Sequence, residues 1–184
     1  MALGHWEEAI RLLTSAIAHD PLYAALHNSL SEIYLRTDRR AEAEAAERRV
    51  LEINATYASA PYNLANVLLA QGRPEDALAL IVSRQQDISD RSAALAAIYH
   101  ALGRELESDA QLAALIRRYQ NDQAFQIAEV LAFRREAEQA FHWIDQAYRQ
   151  RDAGLYLIKV DWLLKNIESD PRYKAFLRKM NLPE

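Results

Sequence analysis

The chain of 184 residues contains no cysteine, which excludes disulfide bonds, thiolate catalysis and thiolate metal sites. It has only 4 glycines and 5 prolines, so residues that interrupt helices are scarce. Its longest nearly apolar stretch, residues 93–102, is far shorter than the ~20 residues that a membrane span needs. With 51% hydrophobic residues, the composition predicts an all-α, soluble chain that does not cross a membrane.

An excess of basic charge is also lacking, since 26 acidic residues outnumber 22 lysines and arginines and the formal net charge is −4. A general nucleic-acid binder usually shows a basic face, so we expect no nucleic-acid partner. Residues 149–184 form an exception, with eight basic and five acidic residues, which we interpret as a solvated helix face. Nucleic-acid binding by this tail remains an alternative, and it predicts an affinity that falls steeply with salt.

Arrangements typical of catalytic or metal sites are missing as well. No two of the five histidines lie four residues apart, the spacing of a helical zinc site. Neither a glycine-rich phosphate loop nor a serine in a nucleophile elbow is present. We therefore expect no enzymatic activity, no cofactor and no metal site.

The sequence does contain an internal repeat. Small residues recur first at intervals of 34 residues and then at 31 and 32, at Ala9, Ala43, Ala77, Ser108 and Ala140. A turn is predicted five residues before each, at Gly4, Asp38, Gly72, Gly103 and Arg135. Glycine readily adopts the left-handed conformation that ends a helix, and aspartate tolerates it, whereas Arg135 fits the pattern least well.

Hydrophobic periodicity predicts helices over residues 5–19, 24–36, 39–53, 58–71, 74–86, 90–102, 104–119, 122–134 and 136–150. The first helix of each complete hairpin carries a large apolar residue, a small one and a large one three residues later. Leu64, Ala65 and Leu68 are one such set, and they share a helix face. The small residue allows the partner helix to approach closely.

The 34-residue period and the small–large pattern resemble the tetratricopeptide repeat (TPR) family. The resemblance covers residues 1–150 and implies an α–α superhelix of antiparallel helical hairpins, with residues 151–184 as a C-terminal cap. The chain departs from the family pattern at Ala55, where a closing proline is usual. It departs also at Glu47 and Arg84, which occupy positions that are normally apolar or small.

The tail has helix signals of its own. Asp161 and Asp170 are predicted N-caps, and Pro171 stands at a first helical position. An amphipathic helix is predicted from Tyr173, Phe176, Leu177 and Met180. The tail resembles the ending of bacterial TPR arrays that are attached to signalling domains. This implies an alternative function, a C-terminal regulatory or self-association arm of a multidomain bacterial signalling or transcription-regulatory protein.

At the other end, the chain begins inside its first repeat, with the second helix of a hairpin only. We expect the apolar face of Ile10, Leu13 and Ile17 to lack one partner. The chain is then part of a longer protein, or a second copy covers this end in a homodimer. The first twenty residues do not resemble a signal peptide, so we expect a cytoplasmic location.

In the TPR family, first-helix residues line a concave groove that holds an extended or helical peptide. The resemblance assigns this role to Asn28, Glu32, Leu35, Arg36, Tyr62, Asn63, Asn66, Leu69, Ala93, Ala97, His100, Phe125, Glu129 and Phe133. Asparagine side chains can bind both N–H and C=O groups of a peptide, and the aromatic residues supply apolar anchors.

A carboxylate clamp of the kind that binds chaperone C-termini is not expected. Asn28 stands where its first lysine would be, and Asp90 and Ala94 occupy later basic positions. The predicted function is therefore a non-catalytic protein–protein interaction module that binds a peptide or protein segment of mixed or apolar character.

Overall fold

A computed structural model describes residues 5–83 and 91–183. Within these residues the chain forms ten α-helices and two 3-10 helices, and no strand. The α-helices of the array are α1 (Trp6–His19), α2 (Ala24–Arg36), α3 (Arg40–Ile53), α4 (Ala60–Ala70), α5 (Pro74–Ser83), α6 (Arg91–Ala101), α7 (Glu105–Tyr119), α8 (Ala124–Phe133) and α9 (Ala137–Gln150). The tail forms the 3-10 helices η1 (Ala153–Leu157) and η2 (Trp162–Ile167), followed by α10 (Pro171–Lys179). None of the described helices is long and apolar enough to cross a bilayer.

The all-α prediction is confirmed, and the predicted helices agree with α1–α9 to within two residues wherever both can be compared. The predicted end of α5 at residue 86 and start of α6 at residue 90 lie outside the described residues. So do Gly4, Arg84 and Asp90, to which the sequence analysis assigned roles.

The helices pack as consecutive hairpins, α2–α3, α4–α5, α6–α7 and α8–α9. The first helices of successive hairpins also contact one another, so α2, α4, α6 and α8 form the inner layer of the superhelix. This inner layer is where the resemblance to the TPR family places the groove.

Close packing within the hairpins depends on the recurring small residues. Ala43, Ala77, Ser108 and Ala140 are fully buried. The Ser108 hydroxyl donates to the carbonyl of Ala96 at 2.7 Å, so its polar group is satisfied inside the core.

The turns between paired helices share one backbone conformation. Asp38, Gly72, Gly103 and Arg135 all have φ between 63° and 72°. Arg135, the residue that fitted the pattern least, therefore adopts the same left-handed turn as the two glycines, at a conformational cost that glycine avoids.

The apolar face of α1 has α2 as one partner, and the expectation that it lacks another remains a prediction. Ile10, Leu13 and Ile17 pack against Leu30 and Ile33 of α2. The exposed apolar side chains at this end are others, namely Leu12, Leu22 and Tyr23.

Both predicted N-caps of the tail are confirmed. The Asp161 carboxylate accepts a hydrogen bond from the backbone N–H of Leu163 at 2.7 Å, and it begins the 3-10 helix η2. Asp170 accepts from the N–H of Arg172 at 2.9 Å, ahead of α10. The amphipathic helix α10 buries Phe176 against α9, with the ring of Tyr148 centred 5.9 Å away. Before α10, however, the chain turns back into the groove.

Candidate functional site

Residues 152–168, which we call the groove segment, lie along the inner layer of helices and are held at both ends of α8. The Asp152 carboxylate accepts a hydrogen bond from the N–H of Phe125 at 2.9 Å, at the start of α8. The Asn166 amide donates to the carbonyl of Phe133 at 2.9 Å, at its end. These bonds satisfy backbone groups that a helix leaves open at its termini.

The groove segment also reaches across to the first complete repeat. Glu168 forms an ion pair with Arg36 at the end of α2, and both side chains are largely buried. Trp162 packs against Phe133, with ring centroids 5.6 Å apart, and against the core between α4 and α6. The groove implied by the family resemblance thus holds the chain's own C-terminal segment along much of its length.

Phe125, predicted as an apolar anchor for a ligand, is covered by this segment. Its side chain is 0% exposed. A Cβ atom at Gly154 would lie only 2.9 Å from the Cδ1 atom of Phe125, so the backbone here approaches the ring as closely as a glycine allows. The groove segment thus leaves the Phe125 side chain without exposure to solvent.

Several other predicted residues face the core or the far end of the groove. Leu69 and Ala97 are buried in the cluster between α4, α5 and α6, and Ala93 is buried in the neighbouring core cluster. The Nδ1 atom of His100 lies 3.1 Å from a carboxylate oxygen of Glu105, and its ring centroid lies 6.0 Å from that of Phe133. These residues therefore lie apart from Asn28, Glu32 and Asn63, the predicted contacts that come together.

The predicted asparagines do come together, between α2 and α4. The Asn63 amide donates to the side-chain oxygen of Asn28 at 2.8 Å. The Asn28 amide in turn donates to Glu32 at 2.9 Å. This network fixes the side chains at the mouth of the groove and so preorganises them.

Beside the groove segment an open space remains, which we call the outer cleft. It has a volume of about 480 Å³ and lies between α2, the starts of α4 and α8, and η1. The polar and aromatic residues that line it are Asn28, Glu32, Tyr57, Ser59, Tyr62, Asn63, Asp122, Gln123, Phe125, Gln126, Glu129, Asp152 and Tyr156.

A second, smaller space of about 70 Å³, which we call the inner cavity, lies behind the outer cleft. Glu32, Tyr62, Asn63 and Glu129 line both spaces, so they form a shared wall. The acidic residues of the inner cavity are Glu32, Glu47, Glu129 and Asp161, from α2, α3, α8 and the groove segment. Within the described part of the chain, no group of three histidine, cysteine or acidic side chains has an arrangement that could hold a metal ion.

Burial changes the proton affinity of these acids. It raises the pKa of Glu47 to about 8, which the nearby Ser31 and Asn63 side chains offset only in part. It raises the pKa of Glu32 to about 7, against an opposing hydrogen bond from Asn28. The pKa of Asp161 is raised as well, mainly by burial, although a hydrogen bond with Glu129 opposes the shift. The cavity therefore holds protonated carboxyl groups near neutral pH.

Sequence reasoning did not assign Glu47, Asp161 or Trp162 to the groove. In the sequence, Glu47 stood out only as an acid at a repeat position that is normally apolar or small. This departure from the family pattern was the one indication of the inner cavity. Asp161 was identified as a helix cap, which it is, but its contact with the inner layer depends on the return of the chain.

Comparison with known proteins agrees with the fold. Residues 1–46 match the model of the tetratricopeptide repeat family. Among 24 matching chains of known structure is YrrB, a TPR protein with an unusual peptide-binding site. It is 17% identical, with a TM-score of 0.50 over 91% of this chain and 97% of YrrB, and this likeness concerns the fold alone. No curated protein sequence matches the chain. Residues 1–46 are thus similar to the tetratricopeptide repeat family, and the described residues have the α–α superhelical fold of a TPR protein.

Proposed function

We propose that the chain is a non-catalytic protein-interaction module and that a peptide segment of its partner binds in the outer cleft. The observation that supports this is a site left open at the mouth of a groove that is otherwise filled. Its volume of about 480 Å³ falls within the usual range for ligand sites. The same proposal places the protein in the cytoplasm of a bacterium.

The lining of the outer cleft suits an extended peptide. Side-chain amides of Gln123, Gln126 and Asn63 provide donors and acceptors of the kind that pair with a peptide backbone. Tyr156 is 63% exposed at the edge of the cleft and offers an aromatic surface. Because the asparagines are already hydrogen-bonded in place, binding loses little side-chain entropy.

Selection of random peptides displayed against the full chain tests this proposal. Peptides that bind should lose affinity at least about tenfold with Tyr156→Ala, since exposed aromatic residues often dominate peptide contacts. Leu106→Ala is the matched control, because Leu106 is 84% exposed on α7 and does not line the cleft. Equal binding to both variants, or a selection that enriches no peptide, would contradict the proposal.

Self-association at the N-terminal end is a second candidate, and it fits a regulatory arm of a larger signalling protein. Leu12, Leu22 and Tyr23 are each more than half exposed there. Exposed apolar side chains on one helix and in the turn after it favour an interaction surface. Sedimentation should show a dimer that Leu12→Glu dissociates and that Leu106→Glu leaves intact. A chain that sediments as a monomer at high concentration would exclude this candidate.

A further inference from the structure

The inner cavity contains a fully buried acidic side chain, that of Glu47. Glu47 is 0% exposed, and neither of its carboxylate oxygens has a hydrogen-bond partner among the described residues. The Ser31 and Asn63 side chains lie near this carboxyl group, but Ser31 donates to the carbonyl of Ala43 and Asn63 donates to Asn28. A buried polar group without a partner is costly, and native structures contain few of them.

A second buried acceptor lies in the same cavity without a partner. The side-chain oxygen of Asn66 is buried and accepts no hydrogen bond from the described residues, and Asn66 as a whole is 8% exposed. Glu129 accepts a hydrogen bond from the Tyr62 hydroxyl at 3.3 Å. When Glu47 is ionised, the open positions in this cavity are therefore acceptor positions, and a group that fills them must donate.

The charges around the cavity favour a donor that is also a cation. Six acidic side chains line the inner cavity and the outer cleft together, at Glu32, Glu47, Asp122, Glu129, Asp152 and Asp161. No lysine, arginine or histidine is among the described residues that line either space. The cation beside them, Arg36, is paired with Glu168.

We propose that the inner cavity binds the charged end of a lysine or arginine side chain that a partner peptide inserts from the outer cleft. This inference rests on the proposed function of the cleft. Both side chains are long and flexible, and both end in several N–H donors and a positive charge. The two spaces adjoin at Glu32, Tyr62, Asn63 and Glu129, and such a side chain would enter the inner cavity between these residues.

A cation in this position would favour the charged form of the carboxyl groups around it. Glu47 and Glu32 would then lose protons on binding, so affinity should rise with pH up to about the pKa of Glu47, near 8. The other titratable or charged groups near the cavity are Tyr57, Tyr62, Glu129, Asp161, Arg36 and Glu168.

The experiment uses blocked amino acids as probes, the N-acetyl amides of arginine, lysine and citrulline. Citrulline has nearly the shape of arginine but no charge. Carbon-13 NMR of the glutamate carboxyl groups in the full chain should show saturable shifts of Glu47 and Glu32 with arginine or lysine, and none with citrulline. Binding at pH 8 should weaken at least about tenfold in Glu47→Gln, since one member of a close charge pair is lost. It should be unchanged in Glu52→Gln, an exposed position on the same helix.

Three outcomes would overturn the inference. The first is that citrulline binds as tightly as arginine, and the second is that the shifts spread without saturation over exposed acids. The third is that no probe shifts the Glu47 and Glu32 carboxyl resonances. The proposed function is tested separately, because peptides selected against the outer cleft that need no basic residue would support the cleft and refute the cation site. Conversely, arginine amide can saturate Glu47 even where no peptide is enriched.

Discussion

Replacing Glu47 by glutamine should stabilise the folded protein at neutral pH. Glutamine has almost the same shape as a protonated glutamate and cannot ionise. In the folded chain Glu47 is fully buried, and burial raises its pKa from 4.5 to about 8. In the unfolded chain the carboxyl group is exposed to water and ionises at its ordinary pKa.

The sign and size of the effect follow from these two pKa values. Between pH 4.5 and about 8 the folded chain binds more protons than the unfolded chain, so the free energy of unfolding falls as the pH rises. The fall is about 1.4 kcal/mol for each pH unit within this window. Glu47 thus costs about 3 kcal/mol at pH 7, whereas at pH 5 it costs less than about 1 kcal/mol.

Urea denaturation of the wild type and Glu47→Gln, followed by tryptophan fluorescence, measures this difference. The stability advantage of Glu47→Gln should grow by about 2.5 kcal/mol from pH 5 to pH 7. Both values avoid the isoelectric point of 5.8. Glu52→Gln should show no comparable change, because Glu52 is exposed and pairs with Arg49 at the surface. A difference between wild type and Glu47→Gln that stays constant with pH would refute the reasoning.

Three further predictions concern the groove segment and the turns. Gly154→Ala should destabilise the fold by about 1–3 kcal/mol in urea denaturation, because its Cβ would lie 2.9 Å from Phe125. A double-mutant cycle of Arg36→Gln and Glu168→Gln should give a coupling energy of about 1 kcal/mol or more, since the pair is mostly buried. A coupling near zero would mean that the pair does not hold the groove segment. Arg135→Gly should stabilise the fold by about 1 kcal/mol, because φ at this turn is 64°. An unchanged thermal midpoint would contradict that account.

The repeat architecture could be predicted from sequence because its signals are local. Helix periodicity and the small residues at Ala43 and Ala77 depend on contacts between neighbours in one hairpin or the next. The turn at Arg135 was the weakest prediction, yet it adopts the common conformation. Its neighbours in the repeat impose the left-handed backbone that the residue type alone disfavours.

The content of the groove could not be predicted in the same way. The family resemblance identified the inner-layer positions, and Asn28, Asn63 and Glu32 do meet there. What covers Phe125 depends on a contact with residues 152–154, about thirty positions further along the chain. No periodic pattern in the tail indicates that it turns back, because its 3-10 helices are short and carry no repeat.

The groove segment both fills the groove and completes the two spaces beside it. Leu157 lines both spaces, Tyr156 lines the outer cleft, and Asp161 lines the inner cavity. A partner that binds these spaces therefore needs the segment in place and should stabilise its docked state, because a ligand favours the state that it binds. A partner that uses the whole concave face would have to displace the segment and break its bonds to α8 and to Arg36. Amide hydrogen exchange in η2 separates the two modes, since protection rises on binding in the first and falls in the second. The buried carboxyl groups favour the first mode. The acidic inner cavity includes Asp161 of the groove segment, so displacing the segment would remove part of its lining.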